Sequence, residues 1–325
     1  MPDHPDGRDR LFTLPAGGTT LHLPAFFPSI SSLKGELSPQ AFLSLILSVD
    51  HPLLLVSAFD IYYAESAHRR AIYAMLQDAH ERRTVVLLDS GRYESYWSRG
   101  QAWSAASLAR VLRRAPCPLA FCFDEYNGPR TSNGLATEVD KAVARDQRAS
   151  KYATILPIIH GSPAILPALT LKVAQRLHPL MIAVPERDLG EGLLERASNV
   201  TAIRRALGRI GRYIPIHLLG TGSPISILTY TLAGADSFDG LAWSNTAIDH
   251  ATARQYHFHQ AELLDSRFLP IPLSGEAYTE TTLINNLVFY GRWLHTIRDA
   301  LLTGKLDELA ASYIPEPILD HLRRL

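Results

Sequence analysis

Cysteine is scarce in this chain. Its 325 residues include two cysteines, Cys117 and Cys122, each in or beside an apolar run. Two cysteines form no disulfide framework and are too few to form a zinc site by themselves. We therefore expect both to be buried free thiols in a reducing compartment.

Excess charge and long apolar runs are also lacking. Lys and Arg together number 32, as do Asp and Glu, so the formal net charge is zero. The overall balance thus gives no electrostatic reason to expect nucleic acid, although a local basic patch could lie within it. No apolar stretch reaches the roughly 18 residues of a membrane span, and residues 1–10 are polar, unlike a signal peptide. We expect residues 1–10 to be disordered, no membrane partner and a cytoplasmic location.

Short apolar runs alternate with helical patterns along most of the chain. Apolar runs without polar alternation are typical of strands buried on both faces, as in parallel sheets. The eight predicted strands are Ala25 to Phe27, Leu53 to Ala58, Val85 to Leu88, Leu119 to Phe123, Thr154 to Ile159, Leu180 to Val184, Ile216 to Leu219 and Ser237 to Leu241. Eight such units in about 220 residues predict a TIM (β/α)8 barrel. A doubly wound open sheet is the alternative, but no Gly-x-Gly-x-x-Gly follows an early strand.

Further elements are predicted at both ends of this alternation. Leu11 to Leu23 is predicted to form a β-hairpin around Gly17-Gly18. Leu283 to Leu302 is predicted to form an amphipathic helix that packs on the barrel and stops at Gly304. With no linker or repeat, we expect one domain over residues 11–325, with C-terminal helices from about residue 280.

Carboxylates lie at the predicted carboxyl ends of three strands. Asp89 and Asp124 end apolar runs, and Asp239 lies within the last strand. Because strand ends in a TIM barrel share one mouth, we expect these side chains to converge. Two or three carboxylates in different environments suit glycosidic chemistry, in which one attacks or stabilises the sugar carbon and another moves a proton. The alternative is that each Asp caps a helix or pairs with an Arg.

Six short segments, in order, carry a resemblance to one family. They are Leu21-His-Leu-Pro-Ala-Phe-Phe-Pro28 with Leu33-Lys-Gly-Glu-Leu-Ser-Pro39, Asp89-Ser-Gly91 with Tyr93, Phe123-Asp-Glu125, His217-Leu-Leu-Gly-Thr-Gly-Ser-Pro224, Gly234-Ala-Asp-Ser-Phe-Asp239, and Asn286-Leu-Val-Phe-Tyr290 with Ile297-Arg298. Over nearly its full length the chain resembles the tRNA-guanine transglycosylase superfamily.

The resemblance implies a role for each matching residue. Asp239 matches the nucleophile that forms a covalent ribosyl intermediate, and Asp89 matches the acid/base. Asp124 matches the carboxylate that recognises the guanine edge, and Tyr93 matches the aromatic that stacks on the base. His160 stands where the family has Gln. The remaining substrate-binding candidates at the same mouth are Ser90, Gly161, Glu186 and Gly222.

The chain departs from the family pattern at several positions. The zinc-binding cysteines expected around residues 258–275 are absent, and Asn285 replaces the fourth ligand, a His. We therefore expect no structural zinc and no zinc subdomain, no other metal and no cofactor; His257-Phe-His259 is taken as incidental. An arginine-containing segment of the family becomes Trp243-Ser-Asn-Thr-Ala247, which removes expected phosphate contacts. The replacements Arg92, Glu94 and Tyr126 in two motifs suggest a re-specified base pocket.

Three classes of function follow. The first is a base-exchange transglycosylase that replaces guanine in tRNA or DNA with a 7-deazaguanine, a reaction found on both polymers in this superfamily. The second is a glycosidase or glycosyltransferase acting on a small nucleoside or sugar nucleotide. The third is a non-catalytic partner subunit of the same fold. The expected partners are guanine or 7-deazaguanine and a nucleic acid. Dimers are common in the family, but the usual interface lies near the zinc region, so a homo-oligomer is left open.

Overall fold

The structure is a computed structural model. It describes residues 10–33, 37–98, 101–125, 131–273 and 277–325. The predicted disorder of residues 1–9 lies outside this part of the chain, as do Lys34, Gly35 and Tyr126. In the part that is described, no helix is both long and apolar enough to cross a membrane.

Two strands form the predicted N-terminal hairpin. Strands β1 (Thr13–Ala16) and β2 (Thr19–His22) pair antiparallel around Gly17 and Gly18, both with positive φ. Leu14 and Leu21 of the hairpin belong to the same buried cluster as side chains inside the barrel. A Cβ on Gly17 would lie 2.5 Å from the side chain of Pro118, just before a barrel strand. The hairpin therefore closes the amino-terminal end of the barrel.

Eight parallel strands form the barrel, which confirms the predicted TIM-barrel class. They are β3 (Ala25–Ile30), β4 (Leu53–Ser57), β5 (Val85–Asp89), β6 (Leu119–Phe121), β7 (Thr154–Leu156), β8 (Ile182–Pro185), β9 (Ile216–Leu219) and β10 (Ser237–Gly240). Their order in the sheet is β7-β6-β5-β4-β3-β10-β9-β8, and a parallel bridge between Ile158 and Ala183 joins its two ends. The sheet thus closes on itself, with all carboxyl ends at one mouth.

Helices surround the barrel. They are α1 (Pro39–Ser48), α2 (Ala58–Tyr63), α3 (Ser66–Glu81), α4 (Arg92–Trp97), α5 (Ala105–Leu112), α6 (Ser132–Ala149), α7 (Leu166–Leu177), α8 (Leu193–Leu207), α9 (Pro224–Leu232), α10 (Ala242–Asn245), α11 (Tyr278–Leu302), α12 (Leu306–Ala311) and α13 (Glu316–Arg323). Helix α8 ends at Leu207, where Gly208 follows. The long helix α11 covers β3, because Phe26 and Tyr290 stack with ring centroids 4.1 Å apart.

Side chains alternate between two apolar layers. Ala25 and Phe27 of β3 point into the barrel interior, whereas Phe26 and Ile30 pack against the helices. This two-sided burial explains why the strands appear in the sequence as apolar runs. Polar side chains inside the barrel are therefore costly unless they are hydrogen-bonded.

A buried ion cluster fixes the start of β10. Asp236 has no exposed surface; its carboxylate accepts from Arg10 Nε at 2.9 Å, Arg204 Nη2 at 2.6 Å, Tyr213 OH at 2.8 Å and the Ile216 backbone N–H at 2.9 Å. Arg10, the last residue of the segment predicted to be disordered, is thereby tied to the barrel. The cluster sets the register of the strand that carries Asp239.

Candidate active site

The sequence-predicted site residues converge on one cleft at the carboxyl-terminal mouth of the barrel. The cleft has a volume of about 1340 Å³. Eight of the nine predicted residues line it: Asp89, Ser90, Tyr93, Asp124, His160, Gly161, Glu186 and Asp239. The ninth, Gly222, lies beside the cleft rather than in its wall. The barrel topology therefore brings together residues that are far apart in sequence.

Asp239 lies in β10 at the floor of the cleft and is 7% exposed. Its Oδ2 accepts a hydrogen bond from Ser29 Oγ at 2.9 Å. Its Oδ1 accepts from the Gly220 backbone N–H at 3.0 Å and lies 3.1 Å from His217 Nε2. Donors from the ends of two strands, β3 and β9, thus hold the carboxylate in one orientation, with its accessible edge toward the cleft.

His217 is a site residue for which the sequence indicated no role. It has no exposed surface and lies inside the barrel, with its ring centroid 5.1 Å from that of Phe121. Its Nδ1 is 2.8 Å from Ser237 Oγ, and Nε2 faces Asp239. Because a carboxylate only accepts, Nε2 carries the hydrogen toward Asp239. The signal available in the sequence was a single imidazole within an otherwise apolar strand.

The two glycines after β9 have different tasks. Gly220 has a φ of +83°, which turns its backbone N–H toward Asp239. A Cβ on Gly222 would lie 2.6 Å from the Cβ of Ala242, and one on Gly240 would lie 2.9 Å from the Gly222 backbone. Gly222 therefore allows close backbone packing behind Asp239, and does not itself contribute to the cleft wall.

Asp89 ends β5 and is followed by a tight turn. Gly91 has a φ of +80°, and its backbone N–H donates to Asp89 Oδ2 at 2.8 Å. A Cβ on Gly91 would lie 2.7 Å from the backbone N of Phe59, so this position requires glycine. Burial, together with the nearby carboxylates of Glu94, Asp124 and Asp239, raises the pKa of Asp89 well above its usual value, against the lowering effect of the Gly91 hydrogen bond. A raised pKa is what a general acid near neutral pH needs.

Asp124 follows β6 and is held at both oxygens. Ser90 Oγ donates to Oδ1 at 2.9 Å, and His160 Nε2 lies 2.9 Å from Oδ2. Just before it, the Phe123 backbone N–H donates to the buried carboxylate of Asp146 at 2.7 Å. The carboxylate of Asp124 is thus held by side chains from two neighbouring loops, and the backbone just before it is held by Asp146.

His160 lies between two carboxylates. Its Nδ1 is 2.9 Å from Asp188 Oδ2, opposite the contact to Asp124. Burial alone lowers the pKa of His160, but the hydrogen bonds and charges of Asp124 and Asp188 outweigh it and raise the pKa to about 9. The ring is therefore an imidazolium at neutral pH, with both N–H groups donating to carboxylates. Asp188 lies in a 3₁₀ turn after β8, which no sequence pattern identified.

The rim of the cleft is aromatic and charged. Tyr93 lies on α4 with 37% of its surface exposed, available to an entering planar group. The Arg92 guanidinium lies 5.4 Å from the centroid of the Phe123 ring. On the opposite side, Glu186 Oε1 accepts from Arg196 Nη1 and from Tyr230 OH, each at 2.9 Å. The negative charge of Glu186 at the rim is therefore paired with the positive charge of Arg196.

Two further buried carboxyls lie in the surroundings of Asp89. Glu94, noted in the sequence only as a replacement in a motif, is 4% exposed, and Asp60 is also buried. Burial and the charge of Glu94 raise the pKa of Asp60 to about 7, against hydrogen bonds from Ser32 that lower it. Neighbouring carboxyls thus continue from Asp89 at the cleft through Glu94 to Asp60.

The residues of the segment before α11 do not fit a structural zinc. In the described ranges, no group of three or more His, Cys, Asp or Glu could hold a metal ion. Asn285, at the position of the expected His ligand, instead accepts from the Ile271 backbone N–H at 3.0 Å and donates to the Ile271 carbonyl at 2.9 Å. His257 ends the short hairpin of β11 (Thr246–Ile248) and β12 (Gln255–His257), and His259 lies in the 3₁₀ turn that follows. Both histidines are exposed. An amide clamp thus holds the segment to α11.

Three known archaeal proteins that are similar to this chain carry the same name. The tRNA-guanine(15) transglycosylase of Sulfolobus acidocaldarius is 23% identical over 326 residues, covering 93% of this chain and 62% of the relative. Those of Korarchaeum cryptofilum and Haloarcula marismortui are 25% and 22% identical, over 74% and 94% of this chain. The chain spans 41% and 66% of the lengths of these last two relatives. No family model matches the chain.

Proposed function

We propose that this chain, which belongs to the tRNA-guanine transglycosylase superfamily, replaces a guanine in a polynucleotide with another base. The observation that carries the proposal is the convergence of Asp89, Asp124 and Asp239 on one cleft, each with different hydrogen-bond partners. Carboxylates in distinct environments can divide the nucleophilic, proton-transfer and recognition tasks among them.

Asp239 is the proposed nucleophile. A carboxylate oxygen attacks C1′ of the ribose, the bond from C1′ to the guanine nitrogen breaks, and its electron pair leaves with the base. The contacts from Ser29, His217 and Gly220 hold the attacking group in place before substrate arrives. Such fixed geometry lowers the entropic part of the barrier. The product of this step is an ester between Asp239 and the sugar.

Asp89 is the proposed acid and base. In its acid form it gives a proton to the departing guanine, and it then accepts a proton from the incoming base as that base attacks C1′ and releases Asp239. The raised pKa of Asp89, caused first by burial and then by the neighbouring carboxylates, supports this role. One proton leaves and one returns, so a full exchange consumes none.

Asp124 and Tyr93 are proposed to recognise the base. Guanine presents N–H donors on its Watson–Crick edge, and a carboxylate held by Ser90 and His160 offers acceptors to them. The exposed ring of Tyr93 offers a stacking surface. A 7-deazaguanine keeps the same edge and differs at position 7, so one pocket accepts both the leaving guanine and a 7-deazaguanine.

The polymer is proposed to be tRNA, because the similar archaeal proteins are named for guanine in tRNA. The cleft volume of about 1340 Å³ exceeds what one nucleoside needs, which supports a polynucleotide over a free nucleoside. Base exchange inside a folded strand also requires that the nucleotide be turned out into the pocket.

The experiment is an exchange assay with labelled guanine and, separately, a labelled 7-deazaguanine. Purified protein is offered tRNA, duplex DNA or free guanosine, beside Asp239→Asn and the surface control Asp50→Asn. We expect label to enter tRNA with the unmodified protein and with Asp50→Asn, and not with Asp239→Asn. Label in DNA alone would show that the polymer substrate is DNA rather than tRNA. Label in free guanosine alone would favour the small-nucleoside alternative. Label in none of them would contradict base exchange.

A further inference from the structure

Glu94 lines the cleft beside Asp89, with 4% of its surface exposed. Its Oε1 accepts from Ser31 Oγ at 2.7 Å, and Oε2 accepts from Ser57 Oγ at 2.9 Å. Ser57 is the register partner of Asp89 across β4 and β5. Glu94 thus reaches back from α4 to the strand ends at which Asp89 stands, and it has little contact with solvent.

Within the described ranges, no side-chain cation forms an ion pair with these carboxyls. Among the residues that the structure describes, the ion pairs of Lys, Arg and His involve neither Asp60, Asp89 nor Glu94. Their hydrogen-bond donors are neutral: hydroxyls of Ser31, Ser32 and Ser57, and backbone N–H groups of Ser32 and Gly91. Burying several negative charges without a cation costs several kcal/mol, and protonation relieves it.

Resting on the proposed base exchange, we propose that Glu94 is a positioning residue that shares one proton with Asp89 and so keeps Asp89 in its acid form for the departure of the base. Glu94 lines the cleft, but both of its oxygens accept from serine hydroxyls. We therefore assign it no direct contact with the substrate, and its action passes through Asp89. Once Asp89 has given its proton to the departing base, it is a carboxylate beside the negative charge of Glu94. That charge favours the return of a proton to Asp89, which takes it from the incoming base.

The charged groups around Glu94 are consistent with this task. Asp89 faces it from β5, Asp60 from α2 and Asp239 from β10, while Arg92 lies on its own helix. Burial raises the pKa of Glu94, and Asp239 adds to the rise, against the hydrogen bonds from Ser31 and Ser57 that lower it. Two interacting carboxyls titrate as a pair, the second proton leaving at a raised pH.

The first test is the pH profile of base exchange in Glu94→Gln. Gln keeps the shape and can bond both serines, but it removes one ionisable group. Asp89 then loses its proton without the negative charge of Glu94 beside it, so the alkaline limb of kcat/KM should move to lower pH by about one unit or more. The matched control, Asp60→Asn, should move the limb less. An unmoved limb in folded, active Glu94→Gln would overturn the shared proton.

The second test does not depend on activity. Infrared spectroscopy follows the C=O band of protonated carboxyls in the Asp60→Asn background, which removes the signal of Asp60. In Asp60→Asn alone, the band should persist to a pH about one unit higher than in the double variants that also carry Glu94→Gln or Asp89→Asn. A shifted band without any exchange would support the shared proton and contradict base exchange. An unshifted band in a protein that exchanges bases would overturn the shared proton alone.

Discussion

The imidazole of His217 is 3.1 Å from the carboxylate of Asp239, and the ring is sealed from solvent inside the barrel. Ser237, two residues before Asp239 on the same strand, holds the other ring nitrogen. Residues two apart on a strand point to the same face, so one strand supplies both the carboxylate and the residue that orients its partner. Asp239, the proposed nucleophile, is therefore held from behind by His217, a side chain that the substrate does not reach.

Replacing His217 with Phe should slow base exchange. The change removes one donor to Asp239 and leaves Ser237 without its partner, while the cleft wall is untouched. Loss of orientation at the attacking group is expected to lower kcat by about 10- to 100-fold, with little change in KM for tRNA. Steady-state kinetics measure this, with thermal unfolding to verify that the variant is folded. A kcat within twofold of the unmodified protein would rule out a positioning role.

His160 should make stability depend on pH. Its folded pKa is raised to about 9 from the ordinary 6.5, because the contacts with Asp124 and Asp188 outweigh burial. The stabilisation is therefore complete below about pH 6.5 and is lost as the pH rises through 9. Relative to His160→Gln, the unmodified protein should gain a free energy of unfolding on the order of 2 to 3 kcal/mol at pH 6, and much less at pH 10. A difference between the two proteins that stays constant from pH 6 to 10 would show that the ring is not charged there.

Asp236→Ala should destabilise the barrel strongly. The substitution leaves the buried guanidinium groups of Arg10 and Arg204 without their carboxylate. Removing one partner of a buried ion pair costs about 3 to 5 kcal/mol. Asp320→Ala breaks an exposed pair with Arg323 and should cost less than about 1 kcal/mol. Chemical denaturation of both variants measures this contrast, and equal losses would show that Asp236 does not anchor β10.

Asn285 should stabilise the segment that precedes α11. Asn285→Ala removes both hydrogen bonds to Ile271 and should cost about 1 to 3 kcal/mol, because a partly buried backbone pair is left unsatisfied. The exposed Asn133→Ala should cost much less. A zinc chelator should leave the Tm unchanged, and a fall in Tm on chelation would contradict an amide clamp in place of a metal.

The sequence was sufficient to predict the barrel and the residues that stand at the carboxyl ends of its strands. Apolar runs such as Val85–Asp89 are predictable because burial on both faces leaves no polar alternation. Once the barrel is assumed, convergence of Asp89, Asp124 and Asp239 follows from topology alone.

The partners of those residues could not be predicted from local pattern. Asp188 lies in a 3₁₀ turn, and Glu94 lies on the short helix α4, which the sequence did not indicate. Each reaches the site through contacts between residues distant in sequence, such as Ser31 with Glu94. Local propensity carries no information about such contacts.

The most direct measurement is the capture of the ester between Asp239 and the polynucleotide. Protein is mixed with tRNA in the absence of an incoming base, quenched with denaturant and analysed by gel and by peptide mass. We predict a denaturation-resistant adduct on the peptide that contains Asp239, absent in Asp239→Asn and released by added guanine. An adduct on another residue, or base exchange that continues in Asp239→Asn, would contradict the account.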